Sequence, residues 1–308
     1  MKIVIDKYIP CLEAVLREAG QEVIALEPKA ITPLAVQEAQ ALFVRTRTCI
    51  NKELLEGSHV SFVATATIGT DHIDFDYCRQ KGITVASAPG CNAQAVCDYI
   101  AEVINEVGGS SIGIVGYGHV GKKVAAMAMA RGMKVVINDP PLGMTDDVTN
   151  CDVITFHTPL TKEGLYPTLH LCDADFLKRC SPKAVIINAA RGGVVDEQAL
   201  LQSGHSFVLD RWENEPNINP EVAQSDRALL GSMHIAGYSL EGKINASQQC
   251  LDAFCQHFSL PALKIDKKVV SLQSQVGDSA PGWLRRVSEK LKAQPQSFEE
   301  LRKKYSLR

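Results

Sequence analysis

Ile112-Gly113-Ile114-Val115-Gly116-Tyr117-Gly118-His119-Val120-Gly121-Lys122-Lys123-Val124-Ala125 is the stretch that decides how this chain is read. The apolar run 112–115 reads as a strand and feeds directly into a Gly-x-Gly-x-x-Gly turn. Residues 122–130 then follow with helical spacing and stop at Gly132. A second apolar run, 134–138, ends at Asp139, 18 residues after Gly121 (139 − 121). Strand, glycine turn, helix, strand and acid, in that order, are what a dinucleotide site requires. Gly116 permits the tight turn, Gly118 lets backbone approach a pyrophosphate, and Gly121 lets helix and strand pack closely. The helix start at His119 and Val120 offers unpaired N–H groups to phosphates. Asp139 would accept hydrogen bonds from a ribose and repel a 2′-phosphate, which favours NAD over NADP. The plainer alternatives are a ligand-free glycine turn and, for Asp139, a strand-end acid before Pro140-Pro141.

Working outward, the same alternation runs along most of the chain. Strands are expected at 2–6, 22–26, 41–45, 61–66 and 83–86, with helical patterns between them. A longer helix is expected at 92–107. The alternation restarts at 111, with strands at 112–115, 134–138, 153–156, 184–188 and 207–209, and a long helix at 243–258. Strands alternating with helices give parallel sheets covered on both faces. The expected fold is therefore α/β: two Rossmann-like or flavodoxin-like parallel-sheet domains with a cleft between them, plus a short C-terminal tail. A discontinuous substrate-binding domain takes 1–91 and 238–265. The NAD-binding domain takes 92–237, and residues 266–308 form the tail. A linker is expected at 271–282, and the capping-box spacing of Ser297 and Glu300 predicts a short terminal helix.

Composition agrees with a globular enzyme-sized chain: 308 residues, 45% apolar, 22% charged and a formal net charge of −3. That balance removes the global electrostatic case for nucleic acid or a membrane surface as partner. No apolar stretch approaches the ~18–20 residues of a membrane span. The ten cysteines are scattered with no C-x-x-C pair, which reads as reduced thiols in a cytoplasmic protein.

Three charged residues fall at or just beyond the ends of expected strands in the second half: Arg191, Glu215 and His234. Open parallel sheets place ligands beyond the carboxyl ends of their strands. All three would then converge beside a nicotinamide. Taken singly, each is as readily a surface ion pair, a turn acid or a structural histidine.

The runs 116–121, 188–196, 210–216 and 234–238, with Asp139, resemble the D-isomer-specific 2-hydroxyacid dehydrogenase family. Phe43-Val44-Arg45-Thr46-Arg47-Thr48, Ala64-Thr65-Ala66-Thr67-Ile68-Gly69, Asn138-Asp139-Pro140-Pro141 and His234-Ile235-Ala236-Gly237-Tyr238 resemble its erythronate-4-phosphate dehydrogenase branch. The resemblance covers about residues 1–260. It implies oxidation of 4-phospho-D-erythronate to 2-oxo-3-hydroxy-4-phosphobutanoate, in pyridoxal 5′-phosphate synthesis, by a homodimer that uses NAD and no metal. It further implies that His234 takes the hydroxyl proton, that Glu215 favours the protonated imidazole, and that Arg191 forks onto the substrate carboxylate. Thr46, Thr67 and Tyr238 are implied substrate contacts. Thr158, Ala189, Ala190, Asp210 and Gly237 are implied to line the cofactor site. Arg45 or Arg47, which flank Thr46, is expected to help hold the phosphate. The chain departs from the family at Met233, where proline is usual, and at Arg211, where an apolar residue is usual. The connections at 107–111, 142–150 and 202–206 are short. Two rival readings stay open: a dehydrogenase of another 2-hydroxy acid such as 3-phosphoglycerate, and an NAD(H)-sensing binding module.

Overall fold

The computed structural model describes residues 1–266 and 282–306. The expected linker therefore lies outside the described residues, apart from Gly282. The chain divides into two compact units. One takes Met1–Asn92 and the described residues from Ser239 to 266, and the other takes Ala93–Tyr238 and the described residues from 282.

The first unit holds five strands: β1 (Lys2–Asp6), β2 (Glu22–Leu26), β3 (Ala41–Val44), β4 (Phe62–Thr65) and β5 (Thr84–Ala86). Their order is β2-β1-β3-β4-β5, and every pairing is parallel. All four residues of β3 and of β4 are buried, as expected for a parallel sheet covered on both faces. One face packs Phe43 and Phe62 against Phe254 of the helix Leu240–His257, with ring centroids 5.5 and 5.9 Å away. The other face packs Val4, Leu42, Val44 and Val63 with Val36 and Tyr77.

The second unit holds β6 (Ser111–Val115), β7 (Lys134–Asp139), β8 (Met144–Thr145), β9 (Val153–Phe156), β10 (Val185–Asn188), β11 (Ser206–Leu209) and β12 (Ala228–Gly231). The order is β12-β11-β10-β9-β6-β7-β8, parallel except for β8. Chain order reverses between β6 and β9, so the glycine turn after β6 sits at the switch point where such sheets bind ligands. The short connection before β6 is closed by Gly108 and Gly109, both at positive φ. The Asp152 carboxylate then accepts the N–H and O–H of both Ser110 and Ser111. Strand β12 was not anticipated: its apolar run is only Ala228-Leu229-Leu230, stopped by Gly231.

The chain after 282, expected to be a tail, folds onto this second unit. The helix Trp283–Ala293 buries Leu284, Val287 and Leu291 in the unit's core and covers the edge strand β12. The buried Ser288 hydroxyl accepts the Gly231 N–H at 2.9 Å, and Arg285 is paired with Glu106. An edge strand left open presents unpaired backbone groups, and this helix shields them. The terminal helix Phe298–Lys304 is present, but the capping box is not. Ser297 ends a 3-10 turn led by Pro295, and its side chain makes no cap hydrogen bond.

Burial of the C-terminal segment is testable. Leu284 has no exposed surface, so Leu284→Ala should lower unfolding free energy by about 2–5 kcal/mol in urea titrations. A loss well under 1 kcal/mol would mean that the segment does not share the core.

Candidate active site

The nucleotide turn is built as its glycines require. Gly116 has φ 96°, and a Cβ there would lie 2.8 Å from the His157 backbone. A Cβ on Gly121 would lie 2.0 Å from the Gly116 carbonyl oxygen, so only hydrogen fits. Gly118 faces open space and is the N-cap of the helix His119–Ala130, which has no side-chain cap. The first amides, from His119 onward, are thus left for a ligand. Asp139 closes β7 and accepts the Tyr117 N–H on Oδ2 at 2.6 Å, which leaves Oδ1 without a donor among the described residues. Thr158 Oγ1 is buried with no hydrogen-bond partner among the described residues. A glycine cradle, bare helix amides, a half-used carboxylate and an orphaned hydroxyl together fit NAD. His157, half-buried beside Gly116, has its pKa pushed down to about 3 by desolvation and stays neutral.

Arg191, Glu215 and His234 all stand beyond the carboxyl ends of β10, β11 and β12. The structure brings Glu215 and His234 together: His234 Nδ1 lies 2.7 Å from Glu215 Oε2. A carboxylate can only accept here, so Nδ1 carries the proton and Nε2 keeps a lone pair. Glu215 Oε1 accepts the Trp212 N–H at 2.9 Å. Arg191 donates from Nη1 to its neighbour's carbonyl, Ala190 O, at 2.9 Å.

The loop that carries Glu215 is held from below. A Cβ on Gly192 would lie 2.0 Å from the Trp212 carbonyl oxygen, so two chain segments touch at that point. Trp212 is buried and donates its indole N–H to Ser232 O at 2.8 Å. Glu197, also buried, accepts the Glu213 N–H at 2.6 Å. Burial pushes the Glu197 carboxyl up to about 8. The Glu213 N–H opposes this, while the Glu213, Glu215 and Asp196 charges add to it. Trp212 and Glu197 were missed by sequence reasoning. An acid directly after Asp196 reads as an ordinary exposed helix-start residue, and nothing in the pattern marks it as buried.

Glu215 acts on His234 in the expected direction, toward the protonated imidazole, but other causes set the balance. Burial lowers the His234 pKa first. The Glu215 hydrogen bond opposes that, and Arg211 and Arg302 add to the lowering, for a net shift below 6.5. Glu215 favours the cation, but desolvation and two guanidiniums outweigh it. For Glu215 itself, burial raises the pKa, and the His234 hydrogen bond and charge, with Arg211 and Trp212, bring it below its usual value.

Asp210 is buried at the end of β11. Oδ1 accepts from Ser232 Oγ and Ile235 N at 2.6 and 2.7 Å, and Oδ2 accepts from Ala236 N at 3.1 Å. Its oxygens serve the protein first, with one acceptor position left on Oδ2. Ala189 and Ala190 are buried beyond β10, and Gly237 and Tyr238 are half-buried after β12. In the first unit, Thr46 is exposed in the turn after β3 and Thr67 is half-buried after β4. Thr67 Oγ1 donates to Gly69 O at 3.0 Å and lies 2.7 Å from Thr65 Oγ1. Arg45 forks onto the buried Asp6 at 2.8 and 3.1 Å and lies over the Tyr8 ring. Its guanidinium is thereby committed to the fold. Arg47 is exposed.

Residues 91–236 match the family model described as D-isomer specific 2-hydroxyacid dehydrogenase, NAD binding domain. An erythronate-4-phosphate dehydrogenase of Bacteroides thetaiotaomicron is 41% identical over all of this chain and 97% of its own length. Among solved structures, a Thermus thermophilus protein superposes with TM-score 0.71 at 24% identity, over 86% of this chain and all of its own. An NAD-bound 3-phosphoglycerate dehydrogenase of Entamoeba histolytica has TM-score 0.68 at 25% identity, over 86% of this chain and 99% of its own.

Glu197 gives a pH-dependent prediction. Its carboxyl is raised in the folded chain, from a usual 4.5 to about 8. The unfolded chain therefore releases that proton first, and stability falls as pH rises from about 4.5 to 8. Glu197→Gln mimics the protonated form and can still accept the Glu213 N–H. It should be more stable than the parent at pH 8, by up to a few kcal/mol, with the gain vanishing near pH 4.5. A gain that does not change with pH would show that Glu197 is not held protonated.

Proposed function

The chain belongs to the D-isomer specific 2-hydroxyacid dehydrogenase family, in the branch of the erythronate-4-phosphate dehydrogenases, and we propose that it oxidises 4-phospho-D-erythronate at C2, within pyridoxal 5′-phosphate synthesis. It is an NAD-dependent dehydrogenase. Gly116, Gly118, Gly121, the amides of His119 and Val120, Asp139 and Thr158 hold the dinucleotide, and Ala189, Ala190, Asp210 and Gly237 line its nicotinamide end. When bound, NAD supplies the acceptor for the hydride that leaves C2. The observation that carries this reading is the 2.7 Å His234–Glu215 contact, placed with Arg191 beyond the same strand ends as the nucleotide turn.

The protein's own groups divide the remaining work. Arg191 clamps the substrate carboxylate and fixes which face of C2 is presented. His234 Nε2, with its lone pair free, takes the C2 hydroxyl proton as the carbonyl forms. Glu215 holds the imidazole in the tautomer that leaves Nε2 basic and balances the charge gained on protonation. Thr46, Thr67 and Tyr238 contact the substrate. The chain works as a homodimer in the cytoplasm. Its ten free thiols support a reducing compartment. Among the described residues no helix is long and apolar enough to cross a membrane.

NADH absorbance at 340 nm with a panel of 2-hydroxy acids tests the reaction, and the phosphorylated four-carbon acid should be the best substrate. Faster oxidation of 3-phosphoglycerate, or NADH binding without any turnover, would favour the rival readings. His234→Ala should lower turnover by ~10²–10⁴ with NAD affinity little changed. Near-normal turnover would remove its acid–base role. Asp139→Ala should erode the preference for NAD over NADP, and an unchanged ratio would contradict the ribose assignment.

A further inference from the structure

Arg211 is a second guanidinium beside the His234–Glu215 pair, and the chemistry described so far gives it no task. It follows Asp210 at the end of β11, with its side chain only 16% exposed. Its Nε forms a long ion pair with Glu215 Oε1 at 3.7 Å, too far for a hydrogen bond, and is buried with no hydrogen-bond partner among the described residues. That carboxylate is already engaged, Oε1 by the Trp212 N–H and Oε2 by His234. The nearby Asp210 carboxylate is held by Ser232, Ile235 and Ala236.

A third guanidinium reaches the same neighbourhood. Arg302, on the terminal helix, acts electrostatically on both Arg211 and His234. Packing places that helix: Tyr305, one turn beyond Arg302, lies against Tyr238, four residues after His234, with ring centroids 6.4 Å apart. Arg302 pairs with Glu299 at 3.9 Å, the outer limit of an ion pair. Arg191 and Arg302 therefore both bear on Arg211, and the two carboxylates that oppose them there, Glu215 and Asp210, are already engaged by other donors. The strain of this arrangement shows on Arg211, whose pKa falls to about 10, by burial first and by the Arg191 and Arg302 charges, against the pull of Glu215 and Asp210. A mostly buried guanidinium whose Nε makes no hydrogen bond and whose one ion pair is long is costly unless a further anion joins it.

We propose that Arg211 and Arg302 form the subsite for the far anionic group of the substrate, the terminal phosphate of a phosphorylated 2-hydroxy acid whose carboxylate is on Arg191. The inference rests on the function proposed above and names the residues that set its preference for phosphate. A phosphate carries about −1.5 to −2 and three acceptor oxygens, which suit two planar guanidinium forks. The assignment also moves the phosphate contact away from Arg45, whose fork Asp6 occupies.

The test uses the full chain, saturated with NADH, and calorimetric titration with inorganic phosphate. The parent should bind phosphate, and Arg211→Met and Arg302→Met should each weaken it roughly tenfold or more. Arg211→Lys should recover part of the loss. In kinetics, both Met variants should lose about tenfold more kcat/KM with 4-phospho-D-erythronate than with D-erythronate, through KM. Unchanged phosphate affinity in both variants, or equal losses on the two acids, would overturn the subsite. A parent that oxidises neither acid, yet binds phosphate through these arginines, would overturn the proposed function and leave the subsite standing.

Discussion

The buried carboxylate of Asp210 is the constraint on which the site depends. It sits at the end of β11 and accepts three hydrogen bonds, all from residues at or after the end of β12. The Asp210 carbonyl accepts a fourth, from the His234 N–H at 3.0 Å. Between these anchors His234 is held at φ 58°, a conformation that costs a non-glycine residue about 1–3 kcal/mol. The anchoring offsets that cost. A buried carboxylate stripped of its donors would be more expensive still, so the turn closes around Asp210 in one way. Ser232 extends the network inward, since its hydroxyl bonds Asp210 and lies 2.8 Å from the Tyr99 hydroxyl. Met233, where the family usually has proline, is buried. The rigidity that proline would give is here supplied by hydrogen bonds.

From that anchor the chemistry follows by electrostatics. Glu215 leaves the same strand five residues later and meets the imidazole at Nδ1, which fixes Nε2 as the basic atom. Burial keeps the imidazole neutral before substrate arrives, the form required of a base in the oxidative direction. The acids behind the loop contribute as well. His170 lies 2.9 Å from Glu213 and 3.7 Å from Asp196, and Glu197 pins the Glu213 amide. The negative face of the loop is thus divided between an ionised Glu215, which works on His234, and a Glu197 whose burial favours the protonated form. One environment gives two carboxyls different tasks.

Much of this was legible in the sequence, and the reasons differ by residue. The glycine turn and Asp139 could be read because steric and hydrogen-bonding needs dictate both residue type and spacing there. The strands around them could be read because parallel sheets write themselves as short apolar runs. Strand β12 escaped, because its apolar run is only three residues long, Ala228-Leu229-Leu230, before Gly231. Glu197 and Trp212 escaped because their roles come from burial and backbone contacts made across the fold, which leave no local mark. Arg302 was hidden for another reason. It stands in a basic segment that reads as a solvated helix face, and only the packing of Trp283, Leu284 and Leu291 brings it to the site. The capping-box spacing at Ser297 misled in detail, since the 3-10 turn after Pro295 takes that residue out of capping geometry.

The central claim is that His234 waits as a neutral base, kept so by burial and oriented by Glu215. The most direct measurement is an NMR titration of the labelled His234 imidazole in the free enzyme. The account predicts a midpoint below the ordinary 6.5, with the proton on Nδ1 in the neutral form. A midpoint above 6.5, or a neutral form protonated on Nε2, would contradict it.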